Sequence, residues 1–287
     1  MHRRRSLYHR AMTASPTPTT HTPRPAPQPF GAHLRHWRQH RRLSQLDLAM
    51  DAAISTRHLS FVETGRASPS REMVLRLSER LDIPLRERNT LLVAAGYAPM
   101  YRERALDDPA LSPARQAVEL ILKSHEPYPA IAIDRHWNLV AANSVVPHLL
   151  AGVDPELLQP PLNVLRLSLH PKGLAPQIAN LAQWRTHLID RVRHQIAASG
   201  DPLLAALLEE LQAFPEPQGA ALHLDGEHPG VVMPFQFTTP QGVLSFISTV
   251  TVFGTPVDVT LQELAMETFF PADDFTRQAL QALAAQA

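Results

Sequence analysis

The sequence predicts an α+β chain of two modules, an N-terminal all-α domain of five short helices followed by a mixed domain whose strands bracket a helical middle. Three observations lead there. Between residues 30 and 95, five apolar-periodic segments are separated by Ser, Gly and Pro punctuation. From Ala130 onward the apolar pattern changes to alternation, the period of a strand. The charge also divides between the modules. Residues 1–104 hold 18 Arg and no Lys against 8 acids, whereas residues 105–287 hold 9 basic residues against 19 acids, so a formal net charge of zero conceals halves of +10 and −10.

Residues 1–29 carry Arg3, Arg4 and Arg5, a run of Thr and six prolines without apolar periodicity, which reads as a disordered arm. Met12 is an alternative start to Met1. The domain over 30–104 opens with a helix from Phe30 to about Arg42, with Leu34 and Trp37 inward and Arg35, Arg38, Arg41 and Arg42 elsewhere. Ser44 caps a second helix, Gln45 to Ala52, with Leu46, Leu48 and Ala49 inward. Ser55 caps a third, Thr56 to Glu63, with Leu59 and Val62 inward and Gly65 as its stop. Ser70 caps a fourth to Leu81, Pro84 breaks the chain, and Leu85 to Ala95 makes the fifth.

Residues 105–125 read as a linker and a connecting helix from Ser112 to Ser124, and residues 126–280 as the second domain, with 281–287 as a tail. In that domain Ala130 to Ile133 and Trp137 to Ala142 form a strand pair around a turn at Asp134 to His136. Helices are expected near Asn143–Leu150, Leu162–Leu169, Leu174–Ala198 and Leu203–Phe214. Strands return at Val231–Thr239, Val243–Phe253 and near Leu261–Phe270.

Several functions are excluded by what the sequence lacks. Without cysteine there is no disulfide, Cys-ligated zinc or thiol nucleophile. No apolar run approaches the roughly 18 residues of a membrane span and no secretory signal opens the chain, so a cytoplasmic protein without membrane association is expected. No Gly-rich phosphate loop, nucleophile elbow or carboxylate pair is present, which argues against an enzyme and against a cofactor. His33, His36 and His40 share a helix face, and His223, Asp225 and His228 share a Gly/Pro loop. The first set has no carboxylate or Cys beside it and reads as solvated surface; the second could bind metal, but Gly226, Pro229 and Gly230 mark a loop where polar residues are expected anyway.

The strongest motif is the pair of capped helices over Ser44–Arg66, joined by a tight connection, with small Ala49 where they cross. A helix-turn-helix requires this: one helix lies across the DNA backbone while the N-terminal residues of the next enter the major groove. The opening of the second helix at Ser55 also presents free N–H groups to phosphate. The basic charge of this half suits a polyanion, because neutralising phosphates releases condensed counterions. Double-stranded operator DNA is therefore the expected partner, read by a homodimer because one module contacts only a few bases.

Residues 30–100 resemble the helix-turn-helix domain of the XRE family in their Ser-Gln opening, Leu48-Ala49, Ser55-Thr56-Arg57-His58, Glu63-x-Gly65-Arg66 and Pro69-Ser70. The resemblance implies that Gln45 meets the DNA backbone, that Thr56, Arg57, Ser60 and Phe61 face the groove, and that Arg66 and Ser70 touch phosphate. The fork of Arg57 suits the two acceptors of a guanine edge. Phe61 suits a thymine methyl, or else the core.

The second half resembles the ligand-binding domain of MmyB-like regulators, a PAS-like sensor, through Asn143, Asn163-x-Leu165-Arg166, His170-Pro171, Asn180, Trp184, Leu244–Thr249 and Phe253-Gly254-Thr255-Pro256 with Asp258-Val259-Thr260. It implies a small apolar, fatty-acid-like ligand for some members. A sheet closed on one face by helices leaves room for a cavity with a few polar anchors. The candidate liners are Ile131, Ile133, Trp137, Leu165, Leu169, Phe246 and Ile247, with Asn143, Asn163, Asn180 and Arg166 as candidate anchors; the apolar residues equally suit a solid core, and Asn143 equally suits a helix cap. A solid domain serving dimerisation or protein contact is the alternative to a sensor.

Overall fold

A computed structural model describes residues 29–215 and 233–284. The expected arm before Pro29 lies outside the described residues, as do His223, Asp225 and His228. The described chain forms two compact units, one of residues 29–105 with 255–262, the other of 106–215, 233–254 and 263–284.

The first unit holds α1 (Phe30–His40), α2 (Gln45–Asp51), α3 (Thr56–Glu63), α4 (Arg71–Arg80) and α5 (Leu85–Ala94). The serines act as their positions dictate. Ser44 Oγ accepts from Asp47 N while Asp47 accepts from Ser44 N, a reciprocal box, and Ser55 and Ser70 accept from His58 N and Met73 N. Leu34, Trp37, Leu48, Leu59, Leu77 and Leu92 close one core. Leu46 departs from the expected inward set and is 57% exposed. Leu48, Ala49 and Ala52 already define the buried face of so short a helix, and Leu46 falls on its flank.

The second unit contains α6 (Ser112–Ser124), β1 (Ala130–Ile133), β2 (Leu139–Ala142), α7 (Val146–Leu149), α8 (Val164–Leu169), α9 (Leu181–Ser199), α10 (Pro202–Ala213), β3 (Phe235–Thr239) and β4 (Gly242–Val252). After α11 (Val259–Gln262), which belongs to the first unit, it is completed by β5 (Ala265–Pro271) and α12 (Asp274–Ala284). The five strands form one antiparallel sheet in the order β2-β1-β5-β4-β3. Alternation divides β1 between its two faces. Ala130 and Ala132 pack on Val118 and Leu122 of α6, whereas Ile131 and Ile133 join the larger core under α8–α10. Small side chains on one face and branched ones on the other let a helix lie close to the sheet there and leave thickness opposite.

Several boundaries differ from expectation. β2 starts at Leu139 rather than Trp137, α7 at Val146 rather than Asn143 and β3 at Phe235 rather than Val231, and three more have a local cause. Helix α9 starts at Leu181 rather than Leu174 because Ile178 bridges to Phe237 and Ala179 N donates to Gln236 O, which commits that stretch to the sheet edge. The strand expected from Leu261 starts at Ala265, because Asp258 Oδ1 accepts from Thr260 N and opens the turn of α11 first. Helix α12 continues through residues 281–284, assigned from sequence to a tail.

Residues 255–262 complete the first unit. Arg104 Nη1 donates to Asp258 Oδ2 at 2.8 Å, and Asp258 is only 1% exposed. Val259 N donates to Arg102 O, Thr260 Oγ1 to Arg104 O, and Leu85 N, at the open start of α5, to Gln262 Oε1. No helix among the described residues is long and apolar enough to cross a membrane.

Gly31, in the first turn of α1, lies against the last turn of α3, where an added Cβ would fall 2.3 Å from Glu63 O. Backbone cannot yield as a flexible side chain does. Gly31→Ala is therefore expected to destabilise the first unit by about 1–3 kcal/mol, measured by chemical denaturation, and Gly65→Ala, whose Cβ would meet open space, to cost less despite its φ of +73°.

Candidate nucleic-acid interface and ligand cavity

The putting together of the helix-turn-helix rests on one carboxylate. Glu63, at the end of α3, has a fully buried side chain. Arg38 of α1 donates from Nε to Oε1 at 2.6 Å and from Nη2 to Oε2 at 3.1 Å, and Gln45 Nε2 at the start of α2 donates to Oε2 at 2.8 Å. Arg35 adds a longer contact at 3.5 Å. Burial pushes the Glu63 carboxyl up, but the bonds from Arg38 and Gln45 and the charges of Arg38 and Arg35 outweigh it and hold the group below its ordinary range. Arg38 follows Phe30, Leu34 and Trp37 at helical spacing, so it belongs to the buried stripe, contrary to its expected place among the outward arginines. That spacing was the available signal for a buried carboxylate partner.

On the outer side of α3, Arg57 is exposed, while Thr56, Ser60 and Phe61 are half-buried. The Phe61 ring carries two guanidinium groups, Arg57 at 5.3 Å and Arg66 at 5.9 Å from its centroid. This arrangement gathers two cations at one aromatic ring. Phe61 is outside the buried core, which Leu59 and Val62 supply. Ser55 and Ser70 spend their hydroxyls on helix caps, and Gln45 is held by Glu63, so all three act first as internal braces. Arg66 is exposed and follows Gly65, whose left-handed conformation ends α3.

Of the histidines on α1, His36 stacks on His40 at 5.9 Å, and His40 Nε2 is buried without a partner. Burial and the charge of Arg41 keep His40 below its ordinary value. Among the described residues no group of His, Asp and Glu is placed to hold a metal ion.

The second unit carries a partly open cavity of about 110 Å³ between the sheet and α7–α9. Ile131, Trp137, Leu165 and Phe246, all expected liners, line it together with Leu139, Val164, Leu188, Phe235 and Phe269. Ile133 and Leu169 are buried in the surrounding core without reaching the cavity, and Ile247 is half-buried on β4 away from it. None of the expected polar anchors lines the space. Asn143 Nδ2 donates to Leu122 O and Tyr128 O, tying the end of α6 to the strands. Asn163 caps α8 and donates to His136 O. Asn180 bridges to Pro234 O and Gln236 N, and Arg166 is engaged by Glu210 at 2.7 Å on the surface. Each asparagine satisfies backbone groups at an element end, a demand as strong in a core as at a site.

Two tryptophans shape the cavity wall. Trp137 takes a left-handed backbone, φ +67°, unusual for a bulky residue. It is held there by Asp134, whose Oδ1 accepts from His136 N and Asn138 N, and by Gln195 of α9, which accepts from Trp137 Nε1 and donates to Arg135 O. Trp184 donates from Nε1 to Ser168 Oγ. The Trp137 indole N–H is thus satisfied outside the space and that of Trp184 by Ser168 in its wall, leaving ring carbon toward the cavity. The polar liners are Ser168 and Glu267, and Glu267 was not foreseen from sequence.

The chain pairs capped helices bearing exposed arginines with a separate apolar cavity, and the family matches make it a DNA-binding transcription regulator with a ligand-binding domain. The family models place both parts. Residues 29–91 match the helix-turn-helix domain and residues 114–283 match the MmyB-like transcription regulator ligand binding domain. The chain belongs to the MmyB-like transcription regulator family. No curated protein matches it. A solved structure described as an RNA-binding light-oxygen-voltage receptor is similar over 90% of this chain and 63% of its own length, at 14% identity and a TM-score of 0.24, too distant to bear on function.

Because the Glu63 carboxyl is depressed in the folded state, its contribution to stability is complete above its ordinary value of 4.5 and is lost as pH falls through the lower folded value. Glu63→Gln is expected to cost about 3–5 kcal/mol at pH 7, since it leaves Arg38 buried without its charge partner. Urea denaturation from pH 7 to 3 should then show a shallower acid slope in the variant than in the wild type.

Proposed function

We propose that this protein is a one-component transcription regulator: a homodimer reads operator DNA through α3, and a small apolar molecule in the cavity of the second unit alters its affinity for DNA. The single observation that carries the reading is that one chain holds both a braced, cation-bearing recognition helix and a cavity walled almost wholly by hydrocarbon. Dimerisation follows from the small surface of one helix, since two copies about one DNA turn apart double the bases contacted. The ligand acts by binding one DNA-affinity state better than the other, because equal affinity would shift nothing. This reading assigns the chain no catalytic step and places the protein in the cytoplasm with the DNA.

Arg57 is the base-reading residue in this reading, with Thr56, Ser60 and Phe61 around it, and Arg66 a phosphate contact. Selection of bound DNA from a random pool by the full chain, with and without cell extract, tests it. A palindromic site is expected whose enrichment changes with extract. An absence of sequence enrichment would overturn the DNA-reading assignment, and enrichment indifferent to any added apolar molecule would favour a dimerisation or protein-contact domain that takes no ligand.

Arg57→Ala is expected to lower affinity for the selected site by about 1–3 kcal/mol and to relax preference at one base pair of each half-site. Arg66→Ala is expected to weaken binding to all sequences alike and to reduce the dependence of binding on salt. Gel-shift titrations against the selected site and single-base variants separate the two.

A further inference from the structure

The interior cavity has a polar end built around Glu267. On β5, residue 267 alternates with Ala265 and Phe269 toward the helical layer, and it pairs across the sheet with Ile131, another liner. The Glu267 side chain is 5% exposed yet is one of the cavity's walls. Its Oε1 accepts from Arg191 Nη1 at 2.9 Å. Its Oε2 accepts no hydrogen bond from the described residues. Arg191 is not among the residues that line the cavity, and its guanidinium lies 4.6 Å from the centre of the Trp137 ring. The second polar liner, Ser168, already accepts from Trp184.

An ionised carboxylate oxygen facing a hydrocarbon-walled space is a pure acceptor, and leaving it unpaired in such a place is costly. We propose that the cavity selects a small apolar molecule whose single polar group is an uncharged hydrogen-bond donor, a hydroxyl, bound to Glu267 Oε2. A ligand ending in a carboxylate is disfavoured. It brings no hydrogen to that oxygen and sets a second negative charge beside it, where low polarity strengthens the repulsion. This assignment rests on the sensor reading above and narrows the chemistry of its ligand.

The protein carries its own reporter, because two of its three tryptophans, Trp137 and Trp184, line the cavity. Intrinsic fluorescence of the full chain is titrated at pH 8 with 1-octanol and with octanoate, molecules of equal chain length that differ in the head group. Saturable change with 1-octanol at a Kd about tenfold or more below that of octanoate is expected. In Glu267→Gln, which keeps an acceptor but removes the charge, the two should fall within about threefold of each other.

Octanoate binding the wild type as tightly as 1-octanol, or more tightly, would overturn the head-group assignment while leaving the cavity as an apolar ligand site, with Arg191 then the recognising group. If neither compound shifts the fluorescence or raises the thermal midpoint, the sensor reading fails together with this one. Burying any charged head group is costly, so a wild-type preference alone does not establish the bond; unchanged discrimination in Glu267→Gln would overturn it, and if that variant misfolds, wild-type affinity for 1-octanol no higher than for its methyl ether would do the same.

Discussion

The geometry of the outer face of α3 depends on a buried ion pair, Glu63 with Arg38, joined by Gln45. Each partner comes from a different helix, so one carboxylate fixes the end of α3 against the body of α1 and the opening of α2. Buried charges add little net stability compared with well-packed hydrocarbon, but a bidentate guanidinium tolerates only one relative placement. Gly31 permits the accompanying backbone approach. The outward residues of α3 inherit their direction from these contacts, and the Phe61 ring keeps the guanidiniums of Arg57 and Arg66 at 5.3 and 5.9 Å from its centre.

The second unit solves an opposite problem, that of keeping an interior incompletely filled. Alanines let α6 lie close to one sheet face, while tryptophan and phenylalanine on the other face span a wider gap. Large flat side chains prop open a space only if their own polar atoms are satisfied, and here Gln195 and Ser168 receive the indole N–H groups. The left-handed Trp137 is the strained point of this arrangement, and strain of that kind persists where neighbouring bonds over-determine it.

Much of the fold was readable because capping is local. Ser44, Ser55 and Ser70 each announced a helix start, and the structure places a helix after each. The first to be misread were long-range partners. Arg38 looked like one of many surface arginines because its carboxylate lies 25 residues away. In the second unit the asparagines looked like ligand anchors because polar residues amid apolar ones draw attention. Asn143, Asn163 and Asn180 instead satisfy main-chain groups, which no pattern of spacing reveals. Glu267 escaped notice for the converse reason: within a strand its face is decided by register, and register depends on which strands lie beside β5.

The DNA-binding unit is discontinuous along the chain. Asp258, Val259, Thr260 and Gln262 bond to Arg104, Arg102 and Leu85, yet in sequence they stand between the last residues of β4 and the first of β5. Cutting the polypeptide after residue 105 would strip Arg104 of its counter-ion and expose the start of α5. A scissile site there does not separate two self-sufficient parts, because residues 255–262 of the helical unit are carried in sequence between β4 and β5.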